Sequence, residues 1–229
     1  ETRNIRWKAA IPGTGHATPL VWGDRIFVQT AVQTEKAVEG ANADRPPPFL
    51  FHYNVLALDR RNGKVLWERT VRETRPHEGM HPTASFASTS GTTDGERLYA
   101  YFGSQGLYCL DLDGNPQWEK DLGDARIKNS FGEGSSPTIY GNALLINWDH
   151  EGDSFIVALD KLTGEERWRN ERDEVTSWST PLVVEHKGKP QVIVSASGRT
   201  RSYDLASGKL IWECAGLGTN VIPMPVHAN

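Results

Sequence analysis

The sequence predicts an all-β chain built from four-stranded antiparallel blades, a β-propeller, and three observations predict it. A segment running from Asp through a turn Gly to Trp recurs four times, a hairpin signal precedes each copy, and hardly any stretch has helical periodicity. Composition agrees, because 22 Gly and 13 Pro among 229 residues exclude a helix bundle.

The first copy is Ala57-Leu58-Asp59-Arg60-Arg61-Asn62-Gly63-Lys64-Val65-Leu66-Trp67. It returns as Ala158 to Trp168 with Asp160 and Gly164, and as Tyr203 to Trp212 with Asp204 and Gly208. A copy one residue shorter runs from Leu110 to Trp118 with Asp111 and Gly114. In each, the Asp side chain can accept backbone amides downstream while Gly takes the left-handed position, so the segment reads as a turn. The fixed offset from Asp to Gly makes these aspartates turn-makers rather than acids or metal ligands. The Trp falls on the strand after the turn.

Upstream, Gly23-Asp24 in Thr18 to Val28 and Gly141-Asn142 in Ser136 to Ile146 signal tight hairpins between apolar residues. The second unit keeps Asp94-Gly95-Glu96, and the fourth shows a longer turn from Glu185 to Pro190. Successive repeat Trp residues lie 51, 50 and 44 positions apart, the spacing of four short strands per blade. The blades fall at about 14–72, 83–122, 131–172 and 176–215, in one domain over 1–229. Trp7 sits like the outermost strand of a preceding blade (1–10), and Asn220 to Val226 like the innermost strand of a following one (217–229). The expected object is therefore a fragment or open arc of a seven- or eight-bladed propeller.

Lys plus Arg is 25 and Asp plus Glu is 29, a net charge of −4, which recommends neither nucleic acid nor an anionic membrane as partner. No apolar run approaches the roughly 18 residues of a membrane span. Glu1-Thr2-Arg3-Asn4 is neither a signal peptide nor an initiator Met, so the chain reads as trimmed, with its address unwritten. Cys109 and Cys214 are too few and too far apart for a disulfide scaffold or a zinc site.

The pattern Ala-x-Asp-x-x-x-Gly-Lys-x-x-Trp resembles the tryptophan-docking motif of the pyrroloquinoline-quinone-type propeller repeat, over about 90% of the chain. Quinoprotein alcohol dehydrogenases carry this repeat, and so does the lipoprotein accessory subunit of the bacterial outer-membrane β-barrel assembly machine. The resemblance implies that Trp67, Trp118, Trp168 and Trp212 pack between neighbouring blades, burying on the order of 150–250 Å² each. It also implies an extracytoplasmic location. Quinone-binding relatives hold the cofactor and a calcium ion with a Glu and an Asn, beside a catalytic Asp and a disulfide of two adjacent cysteines. This sequence has no adjacent cysteine pair, and its Glu and Asn positions match no such arrangement, so no cofactor is expected. Pyrroloquinoline quinone with calcium is the alternative.

Other candidates read as structure. His77 and His81 have metal-like spacing, but Pro76, Gly79 and Pro82 argue for a loop. Asp149-His150-Glu151-Gly152-Asp153 gathers oxygens at a hairpin tip, where a solvated turn is preferred to a calcium site. No nucleophile elbow, phosphate loop or zinc-protease motif is present.

What remains is surface. The segments leading into the innermost strands carry His16, Phe86, Glu133 and Trp178, a rim with aromatic anchors of the kind interfaces favour. The competing reading has Trp178 and Phe86 filling the channel neck. The first blade has a surplus of 17 residues, falling within Gln33 to Phe51, a stretch with Asn42, Asp44, Arg45 and Pro46-Pro47-Pro48, read as a tolerated insertion between its second and third strands. The expected function is a non-catalytic extracytoplasmic scaffold that recognises a protein or small ligand on the propeller face, with further blades or another chain completing the ring. The alternatives are part of a quinone-dependent alcohol or sugar dehydrogenase with its catalytic residues elsewhere, or a sensor domain joined to another module.

Overall fold

A computed structural model describes residues 3–40 and 46–228. The chain divides into two compact units, Glu1–Asp121 and Leu122–Asn229, each holding two four-stranded antiparallel sheets. In every sheet the strands lie side by side in chain order, the meander of a propeller blade.

In the first unit, one sheet comprises β1 (Leu20–Trp22), β2 (Arg25–Ala37), β3 (Phe49–Asp59) and β4 (Val65–Thr74). The second comprises β5 (Thr92–Thr93), β6 (Arg97–Tyr101), β7 (Leu107–Asp111) and β8 (Pro116–Lys120). In the second unit, β9 (Thr138–Tyr140), β10 (Ala143–Trp148), β11 (Ser154–Asp160) and β12 (Glu166–Arg172) form one sheet. The other comprises β13 (Leu182–His186), β14 (Lys189–Ala196), β15 (Arg199–Asp204) and β16 (Leu210–Ala215).

The second and third strands carry the core. Every residue of β10 is buried, and so are the first six of β11, which is why these segments read as apolar runs rather than alternating patterns. Phe27, Val55, Ala57, Leu98, Ala100 and Leu110 anchor the core of the first unit. Leu145, Ile156, Ala158, Val192, Val194 and Tyr203 anchor that of the second.

The four repeat turns share one construction. The amides of Gly63, Gly164 and Gly208 donate to the carbonyls of Asp59, Asp160 and Asp204 at 2.7, 2.8 and 2.8 Å. In the shorter copy Gly114 reaches Asp111 at 3.1 Å, one residue sooner. All four glycines have positive φ, between 70° and 84°. The carboxylates of Asp59, Asp111 and Asp160 each accept the amide two residues on, and that of Asp204 the amide of Ser207.

Within each unit a Trp meets the turn of the next sheet. Trp67 Nε1 donates to the Leu112 carbonyl at 3.0 Å, and its ring covers Gly114. Trp168 Nε1 donates to the Leu205 carbonyl at 2.8 Å, and its ring covers Gly208. Trp7 does the same without a strand of its own, donating to the Arg60 carbonyl at 3.0 Å and covering Gly63. Trp118 packs 5.9 Å from Tyr99 within its own sheet. Trp212 donates only to Gln191 Oε1 of its own sheet, at 3.2 Å, and is 40% exposed.

Two local expectations change. The turn in the fourth blade is not long: β13 and β14 pair through His186 and Lys189, leaving the two-residue turn Lys187-Gly188. Both residues have positive φ, 51° and 74°, the geometry that matches strand twist in a tight hairpin. The first-blade insertion is largely strand, since β2 and β3 run on until Ala37 pairs with Phe49. Arg75 clamps the Pro-rich tip, donating to the carbonyls of Pro47 and Pro46 at 2.9 and 3.0 Å. Asn42, Asp44 and Arg45 lie outside the described residues. Residues 3–10 and 217–228 form no strand. No described helix is long and apolar enough to cross a membrane.

Candidate functional site

The lead-in segments are held in place by backbone hydrogen bonds. In the first unit, Thr14 forms a bridge with Ala31, and the amides of His16 and Ala17 both donate to the Ala87 carbonyl at 3.0 Å. Gly15 allows the approach, because a Cβ there would stand 2.2 Å from the Gln29 carbonyl oxygen. His16 is exposed. Phe86, on the neighbouring segment, is half-buried and meets Phe51 edge-on at 5.0 Å. Beneath them Gln29 Nε2 donates to the Tyr101 carbonyl at 2.7 Å, tying one sheet to the next.

In the second unit, Trp178 is half-buried and its Nε1 donates to the Gly132 carbonyl at 2.7 Å. Its ring lies 3.0 Å from where a Cβ on Gly134 would stand, so the indole forms a wall beside Glu133. The Trp178 amide donates to the Val221 carbonyl at 2.9 Å, the same service Ala87 performs for His16. The four rim residues thus come as two neighbouring pairs, His16 with Phe86 and Glu133 with Trp178.

Below Trp178 lies a charge network that sequence reasoning missed. Arg172 and Asp149 form a two-toothed ion pair, Nε to Oδ1 at 2.7 Å and Nη2 to Oδ2 at 3.1 Å, with both side chains fully buried. Asp149 Oδ2 also accepts Ser177 Oγ at 2.7 Å and Asn147 Nδ2 at 3.1 Å. Arg172 Nη1 donates to the Tyr203 hydroxyl. Burial pulls the Arg172 guanidinium down, but the Asp149 carboxylate outweighs it and the net shift is upward. Burial raises Glu174 despite Arg199 and Arg201, each 3.2 Å from its carboxylate.

The Asp149 to Asp153 segment is a solvated turn only at its tip, where Gly152 and Asp153 are exposed. Asp149 and His150 are buried, and His150 Nδ1 accepts the Arg126 amide at 2.9 Å. Glu151 receives the Thr176 hydroxyl at 2.8 Å. The only sequence signal was a cluster of polar residues directly after an apolar strand, which does not reveal an arginine 23 positions later. His77 and His81 lie in a loop, His77 near Gln105 and His81 on Thr83. Among the described residues, no three His, Cys, Asp or Glu side chains gather to hold a metal.

A sequence profile of the family described as outer membrane protein assembly factor BamB matches residues 52–220. The chain belongs to this family. Subunit 1 of methanol dehydrogenase (cytochrome c) from Paracoccus denitrificans is 26% identical over 215 residues, 89% of this chain and 24% of the relative. The chain thus spans about a quarter of that enzyme's length. Among solved structures, BamB from Moraxella catarrhalis aligns over 94% of this chain and 69% of its own, with 18% identity and a TM-score of 0.52. Quinohemoprotein alcohol dehydrogenase from Comamonas testosteroni aligns over 89% and 35%, with 14% identity and a TM-score of 0.59. These likenesses support the propeller fold with its quinone-type repeat.

Two features of the described residues depart from the quinone set that the resemblance implies. Asp149 and Asn147 stand at the end of β10, but both Asp149 oxygens are engaged by Arg172, Ser177 and Asn147. Cys109 is buried in β7 and Cys214 is exposed in β16, both as free thiols.

Proposed function

We propose that this chain is a non-catalytic recognition propeller, working outside the cytoplasm, that binds a protein or small ligand through its lead-in segments. The observation that carries the reading is how Asp149 is used. Its carboxylate serves as footing for the Trp178 segment, accepting the Ser177 hydroxyl and locked by a buried arginine. A carboxylate employed this way holds a surface in shape rather than accepting a proton or a cation. The surface it supports offers a half-buried indole beside a carboxylate, and the matching place in the first unit offers an imidazole. Family membership, shared with an outer-membrane assembly factor, supports both the extracytoplasmic setting and recognition without chemistry. We take the contacts of Trp67 and Trp168 as the inter-blade docking that the repeat implies.

Quantitative affinity capture from the source cell's envelope proteins tests the reading. Wild type is compared with the rim variants Trp178→Ala and Glu133→Ala and with Lys161→Ala, a change in a repeat turn. The proposal expects a set of partners retained by Lys161→Ala and lost by the rim variants. An identical set for all four proteins would overturn it.

A further inference from the structure

We infer that His150 is an acid-sensitive latch, a neutral imidazole that holds the lead-in segment of Glu133 and releases it when the ring is protonated. The inference concerns how that segment is held, and it stands whether or not the rim binds a partner.

The chemistry follows from what each ring nitrogen does. Nδ1 accepts the Arg126 amide at 2.9 Å, so it carries no proton. The proton of the neutral ring is therefore on Nε2, which donates to the Asp153 carbonyl at 3.1 Å. Both nitrogens are satisfied by backbone groups, and the residue is 8% exposed. The ring fits closely. A Cβ on Gly152 would stand 2.6 Å from His150 Cε1, and the Trp148 ring meets the imidazole edge-on at 6.1 Å. An imidazolium donates from both nitrogens and accepts at neither. Protonation of His150 and its bond to Arg126 therefore exclude each other.

What the bond holds is the path to the rim. The Glu151 amide donates to the Arg126 carbonyl at 2.8 Å, and Arg126 Nη2 donates to the Glu151 carbonyl. Two residues on, the Lys128 amide donates to Thr176 Oγ1 at 3.0 Å, and Thr176 Oγ1 donates to Glu151 Oε1 at 2.8 Å. The hairpin tip thus ties the segment leading to Glu133 to the one leading to Trp178. The first segment is strained, with Asn129 and Ser130 at φ of 54° and 50°, a left-handed conformation that side chains disfavour. Strain of this kind persists only where surrounding bonds enforce it. Farther along, the Gly132 carbonyl accepts Trp178 Nε1 at 2.7 Å, so a segment that slips takes the rim with it.

The charged groups around the ring are engaged elsewhere or exposed. Arg126 is itself cationic, and Asp149 is held by Arg172, which shares β12 with Arg169. Glu151 accepts Thr176, Glu174 faces Arg199 and Arg201, and Asp124 and Asp153 are exposed. Neither ring nitrogen bonds a carboxylate. The tie is intact while the ring is neutral and is lost as falling pH charges it.

NMR of the isotope-labelled protein from about pH 8 to 5, the range in which imidazoles charge, tests this. At the upper end the ring-nitrogen spectrum is expected to show His150 protonated on Nε2 alone. A proton on Nδ1 there would overturn the proposal. As the ring charges, the Arg126 amide is expected to lose its protection from exchange, and the Trp178 indole resonance to shift with the same midpoint. Both signals unmoved while the ring charges, or a ring that stays neutral until the whole chain unfolds, would equally overturn it.

His150→Asn supplies a second reading, because an Asn side-chain oxygen accepts from the place of Nδ1 and does not titrate. Its Arg126 and Trp178 signals are expected to hold through the same range. Identical shifts in this variant would assign them to Glu151 or Glu174 and sink the latch. Should the variant fail to fold, the wild-type ring spectrum and titration decide by themselves.

Discussion

Trp67 donates its indole N–H to the Leu112 carbonyl, which also accepts Arg25 Nη1, so one backbone oxygen gathers two side chains from the preceding sheet. This contact is the outer counterpart of the one Gln29 makes with Tyr101 nearer the lead-in segments. Together they fasten β2 and β4 to the next sheet.

Replacing Trp67 by Ala is expected to cost about 3 kcal/mol, through lost ring packing and an orphaned carbonyl. Trp67→Phe keeps most of the packing and is expected to lose about 1 kcal/mol. Urea unfolding curves separate the two. Equal losses would mean that the hydrogen bond, not the ring, dominates.

Gly208→Ala is expected to be harmful twice over, from a φ of 70° and from a Cβ 2.4 Å from the Trp168 ring. The backbone conformation alone costs about 1–2 kcal/mol. Gly218, where nothing lies within 4 Å and φ is ordinary, is the control. Thermal melts of both alanine variants check this, and a Gly208→Ala melt as high as the control's would argue against the Trp168 contact with Gly208.

The Asp149–Arg172 pair predicts strong non-additivity. Asp149→Asn or Arg172→Met alone strands a buried partner and is expected to cost about 3–5 kcal/mol. Replacing both is expected to cost less than the sum, because no unpaired charge remains. A double-mutant cycle in urea measures the coupling, and a coupling near zero would argue against a buried pair.

How much of this was legible follows the range of each interaction. The repeat turns were readable because Asp, Gly and the bonded amides lie within five residues. The two-residue Gly23-Asp24 and Gly141-Asn142 hairpins were readable for the same reason. Asp149 was not, because its partner arrives only when β10, β11 and β12 have paired in register. Lys187-Gly188 was masked by Pro190, which discourages a strand but is accommodated at the second position of β14. Trp178 was picked out as a rim residue, yet its bond to Gly132 required knowing which segments are neighbours.

Asp59 predicts an acid dependence. Hydrogen bonds from the Arg61 side chain and backbone, the largest influences, hold its carboxyl down at about 2. Its pKa in the unfolded chain is about 3.9, so the folded state releases this proton more readily. The stabilisation is full above that value and disappears as pH falls through about 2. Asp59→Asn is therefore expected to be less stable than wild type at pH 5, with the gap closing at pH 2. A gap independent of pH would assign the turn's stability to something else. Glu174 has the opposite sign: raised by burial, it favours the folded state on acidification and loses that contribution as pH rises through its folded value.

The two thiols are expected to differ sharply in reactivity. Burial pushes Cys109 up to about 12, whereas Cys214 is exposed. An aromatic disulfide reagent at neutral pH is expected to label one thiol per native chain and two in urea. Two fast equivalents in the native protein would mean that β7 opens readily.

Calorimetric titration of the folded protein with pyrroloquinoline quinone and calcium separates a recognition propeller from a quinone-binding one. No saturable heat is expected, because Asp149 is spent on Arg172 and the cysteines stand apart. A one-to-one binding isotherm would contradict it and return the chain to quinone-dependent oxidation.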